Sequence, residues 1–220
     1  MRALLFDFGG TLDSDGLTWG DRFFPLYREA GLDVPREVWN RAFYQSDDHL
    51  AERFNLKGLS LDKTVRLQVD CVLEQLAPRQ GELIDVIADR FLADCRKHFL
   101  RNRPVLERLK LRYKLGIVSN WYGNLEDSLK NEEISGLFDV VADSTVVGHI
   151  KPAPEIFRYA MGKLGVQAQD CLMVGDSVPR DMRGAEGLEM RHALINPSAA
   201  ACCQKALRLA TLPQLEGLLQ

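Results

Sequence analysis

Ala3-Leu4-Leu5-Phe6-Asp7-Phe8-Gly9-Gly10-Thr11-Leu12 reads as a short buried strand running into a tight turn. Four apolar residues in succession leave no polar face, and the two glycines after Asp7 free the backbone to reverse. An acid at the end of a buried strand is costly unless it has a partner or a task. The same arrangement returns downstream. Leu115-Gly116-Ile117-Val118 ends at Ser119, and Cys171-Leu172-Met173-Val174 ends at Gly175-Asp176. Phe138 to Ala142 and His192 to Ile195 supply two more apolar runs.

Helical stretches separate these runs: Pro104 to Leu111, Leu125 to Leu129, and Pro154 to Leu164, the last with proline where a first turn tolerates it. Strands alternating with helices imply an α/β fold, a Rossmann-like parallel sheet with helices on both faces. Residues 18–99 differ. Leu61, Val65, Val69, Val72, Leu73 and Leu76 recur at helical spacing, as do Ile84, Ile87, Phe91, Cys95 and Phe99. The expected organisation is a core of residues 1–15 and 100–220, with a small all-helical cap domain over residues 16–99. Asp7, Ser119 and Asp176 each follow a strand, and in open α/β sheets that carboxyl edge forms the ligand crevice. A cap leaving the sheet just after Asp7 would hang over the same edge and exclude water.

Composition narrows the classes. The chain has 220 residues and a formal net charge of −3, with no basic stripe, so neither a nucleic acid nor a membrane surface is the expected partner. The first ten residues lack the long apolar stretch of a signal peptide, and a cytoplasmic location is expected. Five cysteines (Cys71, Cys95, Cys171, Cys202, Cys203) form no CxxC pair and no ligand spacing with the four histidines, which fits inert thiols in a reducing compartment. The vicinal Cys202-Cys203 has nothing beside it that suggests redox chemistry, and His149 reads as a loop residue. The sequence leaves the oligomeric state open.

Four segments together resemble the haloacid dehalogenase-like superfamily, in the subgroup with a helical cap after the first motif. They are Leu5 to Leu12, Ile117-Val118-Ser119-Asn120, Lys151-Pro152-Ala153-Pro154-Glu155-Ile156-Phe157, and Val174-Gly175-Asp176-Ser177 with Asp181. The resemblance implies that Asp7 is the nucleophile and forms a covalent aspartyl intermediate. It implies a Mg2+ ion held by Asp7, the backbone carbonyl of Gly9 and Asp176, with Asp181 binding the metal or orienting its waters. Thr11, Ser119 and Asn120 would bind a small phosphorylated substrate, and Lys151 would balance charge on the nucleophile and the transferring group. Trp19, Arg22 and Phe23 are the early cap residues that could face the crevice, though a place in the core or on the surface fits them equally.

One position departs from the pattern. Phosphatases of this superfamily carry a second aspartate two residues after the nucleophile, as general acid and base, and here that position is Gly9. Such a group typically contributes about 10²–10⁴ in rate. Asp13 and Asp15 are the nearest acids that could replace it, and a residue of the cap is the other source. The expected activity is therefore a Mg-dependent phosphatase or phosphotransferase, impaired or relying on another acid. A non-catalytic phosphate- or metal-binding protein is the alternative. A 2-haloacid dehalogenase, whose halide leaves without a proton, is the third reading, against which stands the metal acid Asp176.

Overall fold

The computed structural model describes residues 1–78, 80–196 and 206–219. Its sheet contains β1 (Ala3–Phe6), β2 (Lys114–Ser119), β3 (Val140–Asp143), β4 (Cys171–Gly175), β5 (Arg191–Ile195) and β6 (Leu207–Leu209). All neighbours pair in parallel, in the order β3-β2-β1-β4-β5-β6. The chain moves outward from β1 to β2 and β3, then crosses back to place β4 on the other side of β1. The order of strands therefore reverses beside β1, which is where α/β sheets open a crevice.

The side chains of β1 alternate between the two faces. Leu4 and Phe6 pack into one apolar cluster and Ala3 and Leu5 into another, so the unbroken apolar run satisfies two cores at once. The second cluster lies under α7 (Pro154–Leu164), whose Ile156, Phe157 and Ala160 are fully buried. On the first face the sheet meets a block of four helices, α1 (Trp19–Glu29), α2 (Arg36–Arg53), α3 (Leu61–Leu76) and α4 (Leu83–Lys110). Shorter helices complete the set: α5 (Leu125–Asn131), α6 (Ser144–Val147), α8 (Arg183–Glu186) and α9 (Leu215–Leu218).

The helical periodicity over residues 61–76 and 84–99 is realised. Leu61, Val65, Val69, Val72 and Leu73 on α3, and Ile87, Phe91, Cys95 and Phe99 on α4, are buried in one core. Aromatic contacts hold α1 to its neighbours: Phe23 stacks on Phe91 of α4 at 3.8 Å and 7°, and meets Phe43 of α2 at 5.8 Å and 45°. The sequence boundary at residues 99 and 100 falls inside α4, which continues to Lys110 with Pro104 in its interior. The helix expected from Pro104 to Leu111 begins earlier, and Pro104 sits within an unbroken helix packed through Val105, Leu106 and Leu109.

Among the features that escaped the sequence are β6, the short helices α6, α8 and α9, and a π-helical turn over Val178–Met182. Among the described residues Cys71, Cys95 and Cys171 are free and buried, while Cys202-Cys203 lies outside them. His149 is an exposed loop residue. No helix among the described residues is long and apolar enough to cross a membrane.

Candidate active site

The register of the central strands brings the acids together. Phe6 pairs with Ile117 on one side and Val174 on the other, and the Asp7 amide donates to the Val174 carbonyl at 2.9 Å. Asp7 thus emerges between Ser119 and Asp176. Its carboxylate is 5% exposed, and three donors converge on Oδ1: the Phe8 amide at 2.7 Å, the Ser119 hydroxyl at 2.7 Å and the Lys151 ammonium at 2.8 Å. Among the described residues Oδ2 is left uncommitted, so one oxygen is clamped and the other is available.

Lys151 is itself held in place. Its backbone amide donates to Asn120 Oδ1 at 2.7 Å, and Asn120 Nδ2 donates back to the Lys151 carbonyl at 3.3 Å. The ammonium bridges Asp7 and Asp181, at 2.7 Å from the latter. Burial alone would lower the Lys151 pKa, but Asp181 and Asp7 outweigh it and raise it, so the group stays protonated.

Asp181 is fully buried on the π-helical turn, and its second oxygen accepts the Ser177 amide at 2.9 Å. Asp176 accepts the Thr11 hydroxyl at 3.0 Å. Two glycines make room for these acids. Gly10 has φ +87°, and a Cβ there would lie 2.6 Å from the Asp176 carboxyl. A Cβ on Gly175 would run into the Asp181 carboxyl in the same way.

Asp7, Asp176 and Asp181 each present an oxygen within 4.8 Å of the others, all three buried. Burial, then Asp7 and Asp181, push the Asp176 carboxyl well above the ordinary range. Burial raises Asp181 to about 6, against the pull of Lys151. Three buried carboxylates facing one ammonium form a site short of positive charge, which fits a hard divalent cation. The cluster brings together Asp7, Asp176 and Asp181, and Gly9 flanks the same space.

A cavity of about 130 Å³ lies over this edge. Asp7, Gly9, Ser119, Asn120, Lys151 and Asp176 line its floor, and Trp19, Phe43, Tyr44 and Asp47 line it from α1 and α2. Trp121, Tyr122 and Arg180 close its sides. Thr11, expected to contact substrate, is fully buried and gives its hydroxyl to Asp176 instead. Of the early cap residues only Trp19 reaches the cavity. Phe23 is core, and Arg22, expected on the crevice or on the surface, is buried against the Phe91 ring at 4.3 Å.

Asp13 and Asp15, the nearest stand-ins for the acid missing at Gly9, are committed elsewhere. Asp13 is fully buried and accepts from the Gly10 amide at 2.6 Å, Trp19 Nε1 at 2.7 Å and Arg22 Nη1 at 2.8 Å. Asp15 is clamped by both Arg101 terminal nitrogens, at 2.6 and 2.7 Å. Neither lines the cavity. Asp47, Trp121 and Tyr122 were missed by sequence reasoning. The aromatic pair directly after Ser119-Asn120 was the available signal for Trp121 and Tyr122; Asp47 had none.

A family model described as haloacid dehalogenase-like hydrolase matches residues 1–188. The chain belongs to this family. Haloacid dehalogenase-like hydrolase domain-containing protein 3 of Mus musculus is 29% identical over the whole chain and 92% of the relative. A glyceraldehyde 3-phosphate phosphatase of Methanothermobacter thermautotrophicus is 27% identical over 89% of this chain and 86% of that one. Among solved structures, a phosphatase of the family from Thermococcus onnurineus aligns with TM-score 0.59 and 26% identity, covering 100% of this chain and 98% of that one. Solved 2-haloacid dehalogenases share the fold at 20% identity, with TM-scores of 0.57 to 0.62. At that identity they speak to the fold alone. The chain is therefore a hydrolase by family, with phosphatases among its relatives.

Proposed function

We propose that this hydrolase is a Mg2+-dependent phosphatase or phosphotransferase that acts on a small phosphorylated molecule through an aspartyl-phosphate on Asp7. The observation that carries the reading is the buried triad Asp7, Asp176 and Asp181. Against the single ammonium of Lys151 it leaves an excess of two negative charges, the charge of one magnesium ion. Asp7, Asp176 and the Gly9 carbonyl would hold the ion, which when bound neutralises charge between the nucleophile and the phosphate. Asp181, with Lys151 on one oxygen and the Ser177 amide on the other, suits the outer shell that orients the ion's waters.

The remaining chemistry belongs to the chain. With Oδ1 fixed by three donors, Asp7 presents Oδ2 to the phosphorus in a defined direction. The Ser119 hydroxyl, 2.7 Å from Asp7, lies within reach of an oxygen on the group being transferred. Asn120 keeps Lys151 in position, and Lys151 offsets charge that builds on the transferring phosphoryl group. The cavity suits a small ester or a larger one whose remainder reaches past α1 and α2. A cytoplasmic location belongs to this reading, supported by the free buried thiols Cys71, Cys95 and Cys171.

Dehalogenation, third on the sequence alone, is the second activity kept here because Gly9 favours it: a halide leaves without a proton. A phosphate-ester screen with and without Mg2+, repeated on Asp7→Asn, tests the first. Turnover that requires both Mg2+ and Asp7 supports it. Halide release from 2-haloacids in the presence of a chelator, lost in Asp7→Asn, would replace it with the second. Binding of Mg2+ and phosphate with no turnover of any ester would leave a binding protein.

A further inference from the structure

Asp47 sits on α2 and lines the same cavity as Asp7, Ser119, Lys151 and Asp176, from the helical side. No step above uses it. Its Oδ1 accepts the hydroxyl of Tyr122, which follows the Ser119-Asn120 loop at the end of β2. The charged groups that face it are Arg180, from the π-helical turn after β4, and Asp48 on its own helix. No ion pair within 4.0 Å engages Asp47 among the described residues, whereas Asp13 and Asp15 are both saturated with donors. Among the acids lining the cavity, Asp7 and Asp176 belong to the cation-binding cluster, which leaves Asp47 for proton transfer.

We infer that Asp47 is the general acid and base of the reaction, supplied by the helical side of the cavity in place of the carboxylate that Gly9 lacks. The inference rests on the phosphatase reading. In the first half-reaction Asp7 Oδ2 forms a bond to phosphorus while the bond from phosphorus to the ester oxygen breaks. The electron pair stays on that oxygen, which takes the proton of the Asp47 carboxylic acid and leaves as an alcohol. In the second, a water attacks phosphorus and gives a proton to the Asp47 carboxylate. The bond between phosphorus and Asp7 breaks with its electrons returning to Asp7. Ester and water become alcohol and phosphate, and both aspartates end as they began.

The environment suits the first step. Burial lifts the Asp47 carboxyl above its ordinary range; the Tyr122 hydrogen bond pulls it back, Asp48 adds to the rise and Arg180 opposes it. A carboxyl raised in this way keeps its proton closer to neutral pH than a surface one.

The test compares p-nitrophenyl phosphate with the best alkyl phosphate from the screen, in wild type, Asp47→Asn and Tyr122→Phe, each checked for a Mg2+-dependent melting transition. Asp47→Asn should lower kcat/KM for the alkyl ester by about 10²–10⁴ and for the aryl ester by less than about tenfold, because nitrophenolate leaves unaided. It should also release a burst of nitrophenol as the phosphoenzyme on Asp7 accumulates without its base. Tyr122→Phe removes the hydrogen bond that lowers the Asp47 pKa, so the alkaline limb of the alkyl profile should move to higher pH. An equal loss on both esters, no loss on either, or wild-type turnover confined to aryl esters overturns the assignment and leaves the phosphatase reading standing. A wild type that cleaves no phosphate ester, or whose turnover survives Asp7→Asn, removes both.

Discussion

Replacing Asp13 by asparagine should unfold the molecule more readily without changing which leaving groups it accepts. The carboxylate is fully buried and receives the Gly10 amide, the Trp19 indole and the Arg22 guanidinium, at 2.6, 2.7 and 2.8 Å. Removing one partner of a buried ion pair costs about 3–5 kcal/mol, because the other charge is left in a poor solvent. Arg22 keeps a second partner, Asp94, at 3.0 Å on a half-exposed side chain, which argues for the lower end, about 3 kcal/mol. For a chain of this length that corresponds to a fall in melting temperature of about 6–12 °C. It is a large share of a total stability of about 5–15 kcal/mol, and small enough that the variant still folds at 25 °C. Urea and thermal unfolding measure the loss. Asp13→Asn combined with Arg22→Met should recover part of it, since an uncharged pair of similar volume replaces a broken one. The reasoning is refuted if Asp13→Asn loses less than about 1 kcal/mol while alkyl-phosphate turnover collapses and aryl turnover persists. That pattern would make Asp13 the proton donor.

Gly9→Asp, which the sequence alone recommends as a way to restore activity, should fail to do so. A Cβ at this position comes within 3.3 Å of Trp19 Nε1, and the indole is pinned by Asp13 and packed against Phe23, Phe91 and Trp121. We expect a loss of about 1–3 kcal/mol from overpacking and an alkyl-phosphate gain below about tenfold, against the 10²–10⁴ of a well-placed acid; a gain in the latter range would show that the indole yields. The pH dependence of stability should depend on Mg2+. Asp176 and Asp181 have folded pKa values raised above their unfolded ones, so with a chelator present stability should fall as pH rises from about 4 upward through about 6, as buried carboxylates lose their protons. Added Mg2+ should oppose that fall, giving a melting-temperature increase that grows with pH; an increase independent of pH, or none, would contradict the charge argument.

Most of the scaffold was legible because its signals are local. Ala3 to Phe6 and Cys171 to Val174 are uninterrupted apolar runs ending at Asp7 and at Gly175-Asp176, and no other element accommodates that pattern so well. Asp7 and Asp176 of the acidic cluster were legible for the same reason, since the end of a buried strand locates a side chain before any tertiary contact is known. What was lost depends on contacts distant in sequence. The three residues of β6 carry too little pattern to read as a strand without β5 beside them. Pro104 looks like a helix start until the packing of α4 shows the helix passing through it. Arg22 reads as a surface charge, and only the chain reversal through Gly9 and Gly10 brings Asp13 to neutralise it. Asp47 stands in a polar run, Gln45-Ser46-Asp47-Asp48, where nothing local separates the acid facing the cavity from its exposed neighbour Asp48.

The absence of an acid at Gly9 and the presence of one at Asp47 follow from a single arrangement. Asp13 binds the Trp19 indole on one oxygen and the Gly10 amide on the other, so it fixes the ring and the turn relative to each other. The ring then covers the space that a side chain at residue 9 would enter. A side chain at that position presses on an indole held by a hydrogen bond and by three neighbouring aromatic rings, which must give by a few tenths of an ångström. On the phosphatase reading proposed above, the proton donor therefore reaches the leaving group from elsewhere. The leaving group lies on the side of the phosphate opposite the attacking oxygen of Asp7, as an in-line displacement requires. Asp7 rises from the sheet edge, so the opposite side of the cavity is the one lined by α1 and α2. Among the described residues, Asp47 is the acid that those helices place there. In the proposed reaction, proton transfer is thereby tied to the position of α2.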